Sequence, residues 1–174
     1  MDASSFKIIL GSSSVARRKI LSEMGYLFTI MTADIDEKSI PEETPEDLVM
    51  ALPGAKVVVY EGVIRGKPTS KEEARQFLKD YSGRHAATVG SVLVTNLKTG
   101  LRKGDSDRVE IYFNEIPDEI IEKLVDEGIT LNVAGGLIIE HPLVLPFVKE
   151  VVGTTDSVMG LPKALTEKLL KEAL

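Results

Sequence analysis

The residues best suited to chemistry form a turn of small side chains followed by two arginines, Gly11-Ser12-Ser13-Ser14-Val15-Ala16-Arg17-Arg18. Small residues permit a tight turn, and hydroxyl and backbone N–H groups at the start of a helix bind anions well. Arg17 and Arg18 would occupy the first helical turn, where positive charge opposes the helix dipole unless an anion compensates it. The pattern favours a phosphate site, although a serine-capped helix with solvated arginines explains these residues about equally well.

Three further charged segments are candidates for the same chemistry. The carboxylates of Asp34-Ile35-Asp36-Glu37 are ligands that hard divalent cations prefer, although on spacing alone an acidic loop is the better interpretation. Lys56 follows the break Pro53-Gly54, and Lys67 lies within Gly66-Lys67-Pro68. Each lysine would suit a phosphate as a point charge, but a lone lysine more commonly extends into solvent.

The pair Glu140-His141, followed by Pro142, suggests either an acid–base pair or a loop at the end of a strand. The sequence shows no Ser/His/Asp order, P-loop, dinucleotide-binding glycine pattern or metalloprotease motif. These residues therefore do not by themselves indicate a reaction.

The composition excludes several classes of protein. The 174 residues are 43% hydrophobic and 28% charged, which is typical of one folded domain and not of a disordered chain. With no cysteine and two histidines, disulfides and a thiol or histidine zinc site are not expected. The net charge of -6 disfavours general binding to a nucleic-acid polymer, and no apolar run is long enough to span a membrane. We therefore expect a soluble cytoplasmic protein without a membrane partner.

The hydrophobic pattern alternates between strands and helices. Phe6 to Leu10 predicts a strand that ends at the serine turn, and the following apolar positions at helical spacing predict a helix that Gly25 ends. Further predicted strands are Phe28–Met31, Val57–Tyr60, Val63–Ile64, His85–Asn96, Arg108–Asn114 and Val144–Val152, the last broken at Pro146. Further predicted helices begin at Thr44 and at the capping box of Ser70 and Glu73, cover Asp118–Val125, and carry Leu161, Leu165 and Leu169. Ala134-Gly135-Gly136 predicts a close approach of backbone. The pattern indicates an α/β fold with a mixed sheet.

Taken in order, seven short segments resemble motifs of the Maf family of nucleotide pyrophosphatases, from about Ile8 to Leu170. Leu10 to Arg18 resembles the family's Leu-Ala-Ser-x-Ser-Pro-Arg-Arg, with Val15 and Ala16 in place of the Pro and the first Arg. Asp34 to Glu37 matches Asp-x-Asp-Glu, and Ala55-Lys56 resembles the lysine of an Ala-x-x-Lys-Ala helix.

The remaining segments follow in the order of the family motifs. Gly66-Lys67-Pro68 and Ser82-Gly83 match, Ala134-Gly135 through Glu140 resembles an Ala-Gly stretch ending in Gln or Glu, and Val158 to Pro162 resembles Val-Val-Gly-Leu-Pro. The intervening segments are most similar to plant members.

The resemblance implies a single domain over residues 1–174, a mixed twisted sheet flanked by helices, and two lobes around a cleft. It also implies a Mg²⁺- or Mn²⁺-dependent enzyme that cleaves nucleoside triphosphates between the α and β phosphates. Family members are often homodimers, which leaves a homodimer open here.

The residues that would carry catalysis are Glu37, which would also help at the metal, Lys56 and Lys67. Those that would bind substrate are Ser12, Ser14 and Arg17 at the phosphates, with Ala16 and Glu140 at positions that tune base choice. A Glu at the position of Glu140 resembles the branch acting on 7-methyl-GTP, whereas Gln is typical of the dTTP/UTP branch.

One departure from the family concerns the proton acceptor. Family members carry a Gly/Ala/Ser-Asp-Thr/Gln step just before the segment that matches Val57-Val58-Val59-Tyr60, and its Asp is the general base. Here Lys56 runs directly into Val57, and Glu61 beyond the strand is a poor substitute. The resemblance therefore implies an internal deletion and impaired activity, because loss of an oriented base costs about 10²–10⁴-fold in rate. Three alternatives stay open: a pyrophosphatase, a catalytically inactive nucleotide-binding protein, and a folded remnant without a ligand.

Overall fold

The N-terminal strand, turn and helix form where the hydrophobic pattern predicts them. The structure is a computed structural model that describes residues 6–32, 44–46, 50 and 56–174. Strand β1 (Ile8–Leu10) pairs in parallel with β2 (Phe28–Ile30), and helix α1 (Val15–Glu23) lies between them in the chain. Gly25 follows α1 with a φ of 84°, which glycine adopts without a steric penalty and which ends the helix.

The remaining strands form a five-stranded sheet with the order β4-β3-β5-β6-β7. They are β3 (Lys56–Tyr60), β4 (Val63–Arg65), β5 (His85–Thr95), β6 (Arg102–Phe113) and β7 (Val148–Val152). β3 pairs antiparallel with β4, and β6 pairs antiparallel with β7. Together with the parallel pair of β1 and β2, these ladders confirm the predicted α/β class with strands of both senses.

By their internal contacts, the described residues divide into two compact units, and β5 and β6 each contribute to both. The first unit contains the described part of residues 1–55 together with 90–107 and 155–174. Its C-terminal segment forms α4 (Thr155–Val158) and α5 (Lys163–Ala173). Its core consists of Ile20, Leu21, Tyr26, Val92, Leu161, Leu169 and Leu170.

The second unit, residues 56–89 and 108–154, contains α2 (Lys71–Tyr81) and α3 (Asp118–Glu127). Tyr81 at the end of α2 is fully buried, with its ring stacked on Phe113 of β6 and edge-on to Tyr60 of β3. The ring therefore holds α2 against the sheet.

The capping box predicted at Ser70 and Glu73 is present, with one change of partner. The Ser70 side chain accepts a hydrogen bond from the Glu73 backbone N–H at 3.1 Å. The Glu73 carboxylate, however, accepts from the backbone N–H of Thr69 at 2.6 Å, one residue earlier than in the usual box. Both bonds satisfy N–H groups at a helix start, where the helix itself offers no acceptor.

Three of the sequence predictions are wrong at their boundaries. The strand predicted over Arg108–Asn114 begins earlier, at Arg102, and ends at Phe113. The strand predicted over Val144–Val152 begins only at Val148, because Leu145–Phe147 forms a turn of 3₁₀ helix with Pro146 inside it. Leu161, predicted to lie on the last helix, is buried but precedes α5.

Across the described residues, no helix combines the length and apolar character that crossing a membrane requires.

Candidate active site

The serine turn of the first unit caps α1 with side-chain hydroxyls. The Ser14 hydroxyl accepts from the Arg17 backbone N–H (3.4 Å), and the Ser12 hydroxyl accepts from the Ser14 N–H (3.2 Å). The Arg18 N–H donates to the Ser14 carbonyl (3.1 Å). The amides of Val15 and Ala16 therefore have no acceptor within the helix, as is usual for the first residues of a helix. This is the geometry in which a helix start binds an anion.

The Arg17 side chain lies against the same turn and against a distant part of the chain. Its Nη1 donates to the Ser12 hydroxyl (3.3 Å), and its Nε donates to the carbonyl of Gly160 (3.0 Å). The structure thus brings Ser12, Ser14 and Arg17 together, as the resemblance implies. Two bonds on one planar guanidinium fix both its position and its orientation.

No role for Gly160 was predicted from the sequence. It is buried, its φ is 106°, and a Cβ atom there would lie 2.9 Å from Arg17 Nε. Only glycine leaves room for the guanidinium at this carbonyl. The signal in the sequence was the segment Val158 to Pro162, which carried the resemblance without an assigned function.

In the second unit, the loop around Lys67 packs on the small residues at 134–136. The Gly66 carbonyl accepts from the Gly135 N–H (2.8 Å), and Pro68 is buried next to Gly136. Lys67 itself is exposed, and its ammonium forms no hydrogen bond or ion pair with any residue that the structure describes. The lysine is therefore a solvent-facing charge on a fixed loop.

The close backbone approach predicted at Ala134-Gly135-Gly136 is confirmed. Gly135 has a φ of 63°, and a Cβ there would lie 2.6 Å from Val58 and 2.8 Å from the Tyr81 hydroxyl oxygen. The Tyr81 hydroxyl donates to the Gly135 carbonyl (2.8 Å). Burial raises the pKa of Tyr81 to about 12, so the hydroxyl keeps the proton that it donates.

Of the other expected site residues, the structure describes three, and one lies outside the described residues. Lys56 is the half-buried first residue of β3, and not part of a helix as in the motif that it resembles. Ala16 is half-buried on α1, and Glu140 is exposed in a turn. Glu37 lies outside the described residues, as does the rest of the acidic segment. By unit, Ser12, Ser14, Ala16 and Arg17 belong to the first and Lys56, Lys67 and Glu140 to the second.

His141 has both ring nitrogens engaged in holding its own loop. The Leu143 backbone N–H donates to Nδ1 (3.0 Å), and Nε2 lies 2.8 Å from a carboxylate oxygen of Glu127. Because Nδ1 accepts a hydrogen bond, the ring proton resides on Nε2 and is donated to Glu127. The geometry therefore favours the loop interpretation of Glu140-His141 over the acid–base pair.

The described residues do not supply a metal site of their own. Among residues 6–32, 44–46, 50 and 56–174, no three histidine or carboxylate side chains are grouped so that they could hold an ion. The carboxylate that the resemblance implies at the metal, Glu37, lies outside those ranges.

These features define a class: an α/β protein with a serine-capped helix start and an arginine that Ser12 and Gly160 hold beside it. The comparisons with known proteins then give the family. The family model described as Maf-like protein matches residues 7–173, and the chain belongs to the Maf family.

Several relatives are similar over almost their whole length. The chain is 34% identical to a 7-methyl-GTP pyrophosphatase of Dictyostelium discoideum, covering 95% of this chain and 96% of the relative. It is 33% identical to a dTTP/UTP pyrophosphatase of Anaeromyxobacter dehalogenans strain 2CP-C, covering 96% and 94%. It is 32% identical to a dTTP/UTP pyrophosphatase of Syntrophus aciditrophicus strain SB, covering 95% and 89%.

The length of the first alignment also bears on the predicted deletion. It extends over 191 residues, whereas this chain has 174. The Dictyostelium enzyme therefore has residues within the aligned region to which nothing in this chain corresponds.

Proposed function

We propose that this chain is a nucleoside triphosphate pyrophosphatase, which hydrolyses the bond between the α and β phosphates to give a nucleoside monophosphate and pyrophosphate. Its relatives named 7-methyl-GTP and dTTP/UTP pyrophosphatases support the reaction class. The observation that carries the proposal is the Arg17 guanidinium, fixed by Ser12 and Gly160 beside the N-terminus of α1. A cation held beside free helix amides suits the oxygens of a phosphoryl group.

In the proposed site, the described residues bind and orient the triphosphate. The α1 amides and the Ser12 and Ser14 hydroxyls would surround a phosphoryl group, and Arg17 would neutralise its charge. Lys56 and Lys67, which belong to the second unit, are proposed as point charges for phosphate oxygens. A Mg²⁺ or Mn²⁺ ion, held with the help of Glu37, would supply further charge neutralisation when bound.

Activation of water is the weak point of the proposed mechanism. The family's Asp has no counterpart before Val57, and the nearest acid beyond the strand, Glu61, is exposed and lies 3.6 Å from the Arg84 guanidinium. An exposed carboxylate that faces an arginine is a poor general base at neutral pH. We therefore expect turnover about 10²–10⁴-fold below that of a relative that has the base.

The base specificity and the setting of the protein are further parts of the proposal. Glu140, by its match to the family, favours 7-methyl-GTP over UTP and dTTP, and the 34% identical Dictyostelium enzyme supports that choice. A single domain over residues 1–174, a cytoplasmic location and a homodimer stay predictions.

The test is a panel of triphosphates that includes 7-methyl-GTP, UTP and dTTP, assayed for pyrophosphate release with Mg²⁺ or Mn²⁺. The Dictyostelium relative serves as the positive control. Slow release that Arg17→Ala abolishes is the expected result, whereas Lys123→Ala, which removes an exposed charge on α3, leaves it unchanged. Activity in the control and none in this chain with any triphosphate would exclude the enzyme.

The second candidate is a nucleotide-binding protein without catalysis, which the absence of the expected base favours. A ligand that binds only the folded state stabilises it by RT ln(1 + [L]/Kd). Thermal stabilisation by a triphosphate without turnover would therefore support this candidate. The third alternative, a remnant without a ligand, predicts neither stabilisation nor turnover.

A further inference from the structure

A buried tyrosine is connected to the Lys67 loop through two hydrogen bonds. The Tyr81 hydroxyl donates to the Gly135 carbonyl, and the Gly135 N–H donates to the Gly66 carbonyl, each at 2.8 Å. Gly66 directly precedes Lys67, whose proposed role is to contact phosphate. The hydroxyl and the lysine are thus linked through two glycines, Gly135 and Gly66.

The position of the Tyr81 hydroxyl is set by packing and not by solvent. The Tyr81 ring is fully buried between Phe113, at a centroid distance of 6.1 Å, and Tyr60, at 5.8 Å. Gly135 has no space in which to move toward this ring, because even a Cβ atom would contact the hydroxyl oxygen and Val58. The Gly135 N–H is therefore fixed in direction.

Both neighbours of the Gly66-Lys67 step are also fixed by packing. Before it, the Arg65 guanidinium lies over the rings of Tyr60 (4.5 Å) and Phe77 (4.3 Å) and forms an ion pair with Asp80 at 2.5 Å. After it, Pro68 is buried. The exposed Lys67 side chain therefore extends from a segment of backbone that is held on both sides, by Arg65 and by Pro68.

We propose that Tyr81 is a positioning residue for triphosphate binding: through Gly135 and Gly66 it holds the backbone from which Lys67 reaches the phosphates. The inference rests on the proposed function, because it requires Lys67 to contact the substrate. The position of the Cα atom determines which positions the ammonium of a flexible lysine side chain can reach. Movement of the loop would therefore reduce the fraction of time that the Lys67 ammonium spends at the phosphates.

The test compares two tyrosine hydroxyls in the same aromatic cluster. Tyr81→Phe removes the donor to Gly135 and keeps the ring. Tyr60→Phe is the matched control, because the Tyr60 hydroxyl accepts from Arg84 at 2.8 Å and has no bond to the Lys67 loop. The readout is the dissociation constant of a non-hydrolysable triphosphate analogue, obtained by thermal-shift titration with the full chain. We expect Tyr81→Phe to weaken binding about threefold to tenfold, as the loss of one hydrogen bond implies, and Tyr60→Phe to leave it unchanged.

A double-mutant cycle with Lys67→Ala separates positioning from general stability. If Tyr81 acts through Lys67, Tyr81→Phe has no further effect on binding in the Lys67→Ala background. An equal loss in both backgrounds, or no loss in either, would overturn the inference and leave the proposed function intact. Lack of any binding by the unmodified chain, or a Lys67→Ala variant that binds normally, would overturn the inference together with the proposed role of Lys67.

Discussion

The Arg17 guanidinium owes its geometry to a residue 143 positions away in the chain. The Gly160 carbonyl accepts from Nε, and the absence of a side chain at Gly160 lets the guanidinium approach. An arginine in the first turn of a helix is electrostatically unfavourable by itself. The hydrogen bonds to Ser12 and Gly160 hold the guanidinium in place despite that cost.

Substituting Gly160 by alanine should displace Arg17 and weaken triphosphate binding. The new Cβ would lie 2.9 Å from Nε, closer than these atoms tolerate, so the bond to the carbonyl is lost or the guanidinium moves. We expect a rise of about threefold to tenfold in the dissociation constant of a triphosphate analogue, measured by thermal-shift titration.

The control for this variant is Gly25→Ala. Gly25 also has a positive φ, 84°, but a Cβ there meets no atom within 4 Å. Both substitutions incur the backbone cost of about 1–2 kcal/mol for an L-residue in the left-handed region. If Gly25→Ala weakens binding as much as Gly160→Ala, the effect is a general loss of stability and not a displacement of Arg17.

Tyr81 should make the protein less stable in alkali. Its hydroxyl ionises near pH 10 in the unfolded chain, whereas burial raises the pKa to about 12 in the folded protein. Between these two values the folded state binds more protons than the unfolded state, so stability falls as pH rises, by about 2–3 kcal/mol in all.

Denaturant unfolding between pH 9 and pH 12 tests this prediction. We expect Tyr81→Phe to be less stable than the unmodified chain at neutral pH, but to show a smaller decline above about pH 10. Part of the decline should remain, because the hydrogen bond to Glu167 raises the pKa of Tyr26 to about 12 as well. An unchanged decline in Tyr81→Phe would contradict the assignment.

At the scale of elements, the turn between β3 and β4 contains a strained residue. Glu61 has a φ of 47° and is followed by Gly62 with a φ of 78°. Two-residue hairpin turns with positive φ at both positions favour Asn-Gly, whereas a glutamate is disfavoured in the left-handed region. The ion pair of Glu61 with Arg84 offsets little of this cost, because the two side chains are 70% and 63% exposed.

Glu61→Asn should therefore stabilise the protein, by about 0.5–1 kcal/mol, measured by urea unfolding. Glu61→Gln provides the comparison, since it removes the same charge without the preference of asparagine for positive φ. We expect Glu61→Gln to change stability by less than about 0.5 kcal/mol. Equal effects of the two variants would show that the charge, and not the backbone, determines the outcome.

Local sequence patterns predicted most helices and strands. They were less informative where packing against distant residues determines the local structure. Helix α3, predicted over Asp118–Val125, extends to Glu127 and ends at Gly128, because a left-handed glycine at that point is a local signal. The strand predicted at Val144 was wrong, since a continuous apolar run does not distinguish a strand from a buried turn. Ala134-Gly135-Gly136 indicated close approach, but only the fold identifies Val58, Tyr81 and Gly66 as the neighbours.

At the scale of the whole molecule, the missing segment is expected to limit the reaction more than any single substitution does. The aligned region is longer in the Dictyostelium relative than in this chain, and the resemblance places the family's general base in the segment that has no counterpart before Val57. The residues proposed to bind phosphate lie outside that segment, so we expect binding and catalysis to be separable.

Grafting that segment from the Dictyostelium relative between Lys56 and Val57 should restore the reaction. We expect kcat for the preferred triphosphate to rise about 10²–10⁴-fold, because an oriented base is supplied, with a smaller change in substrate affinity. The rate of pyrophosphate release as a function of triphosphate concentration measures both quantities. The same graft with its Asp changed to Asn is the control, and equal rates for the two grafts would exclude the aspartate as the base.

The sequence by itself determined the α/β class, the family and the candidate phosphate ligands, because strand and helix periods, caps and short motifs are local features of the chain. Only the tertiary structure decided which partners fix those ligands: Gly160 for Arg17, and Tyr81 with Gly135 for the Lys67 loop. These contacts join residues 54 to 143 positions apart, and nothing in the local sequence specifies them. They arise when buried side chains and backbone hydrogen bonds must be satisfied together in one packed core.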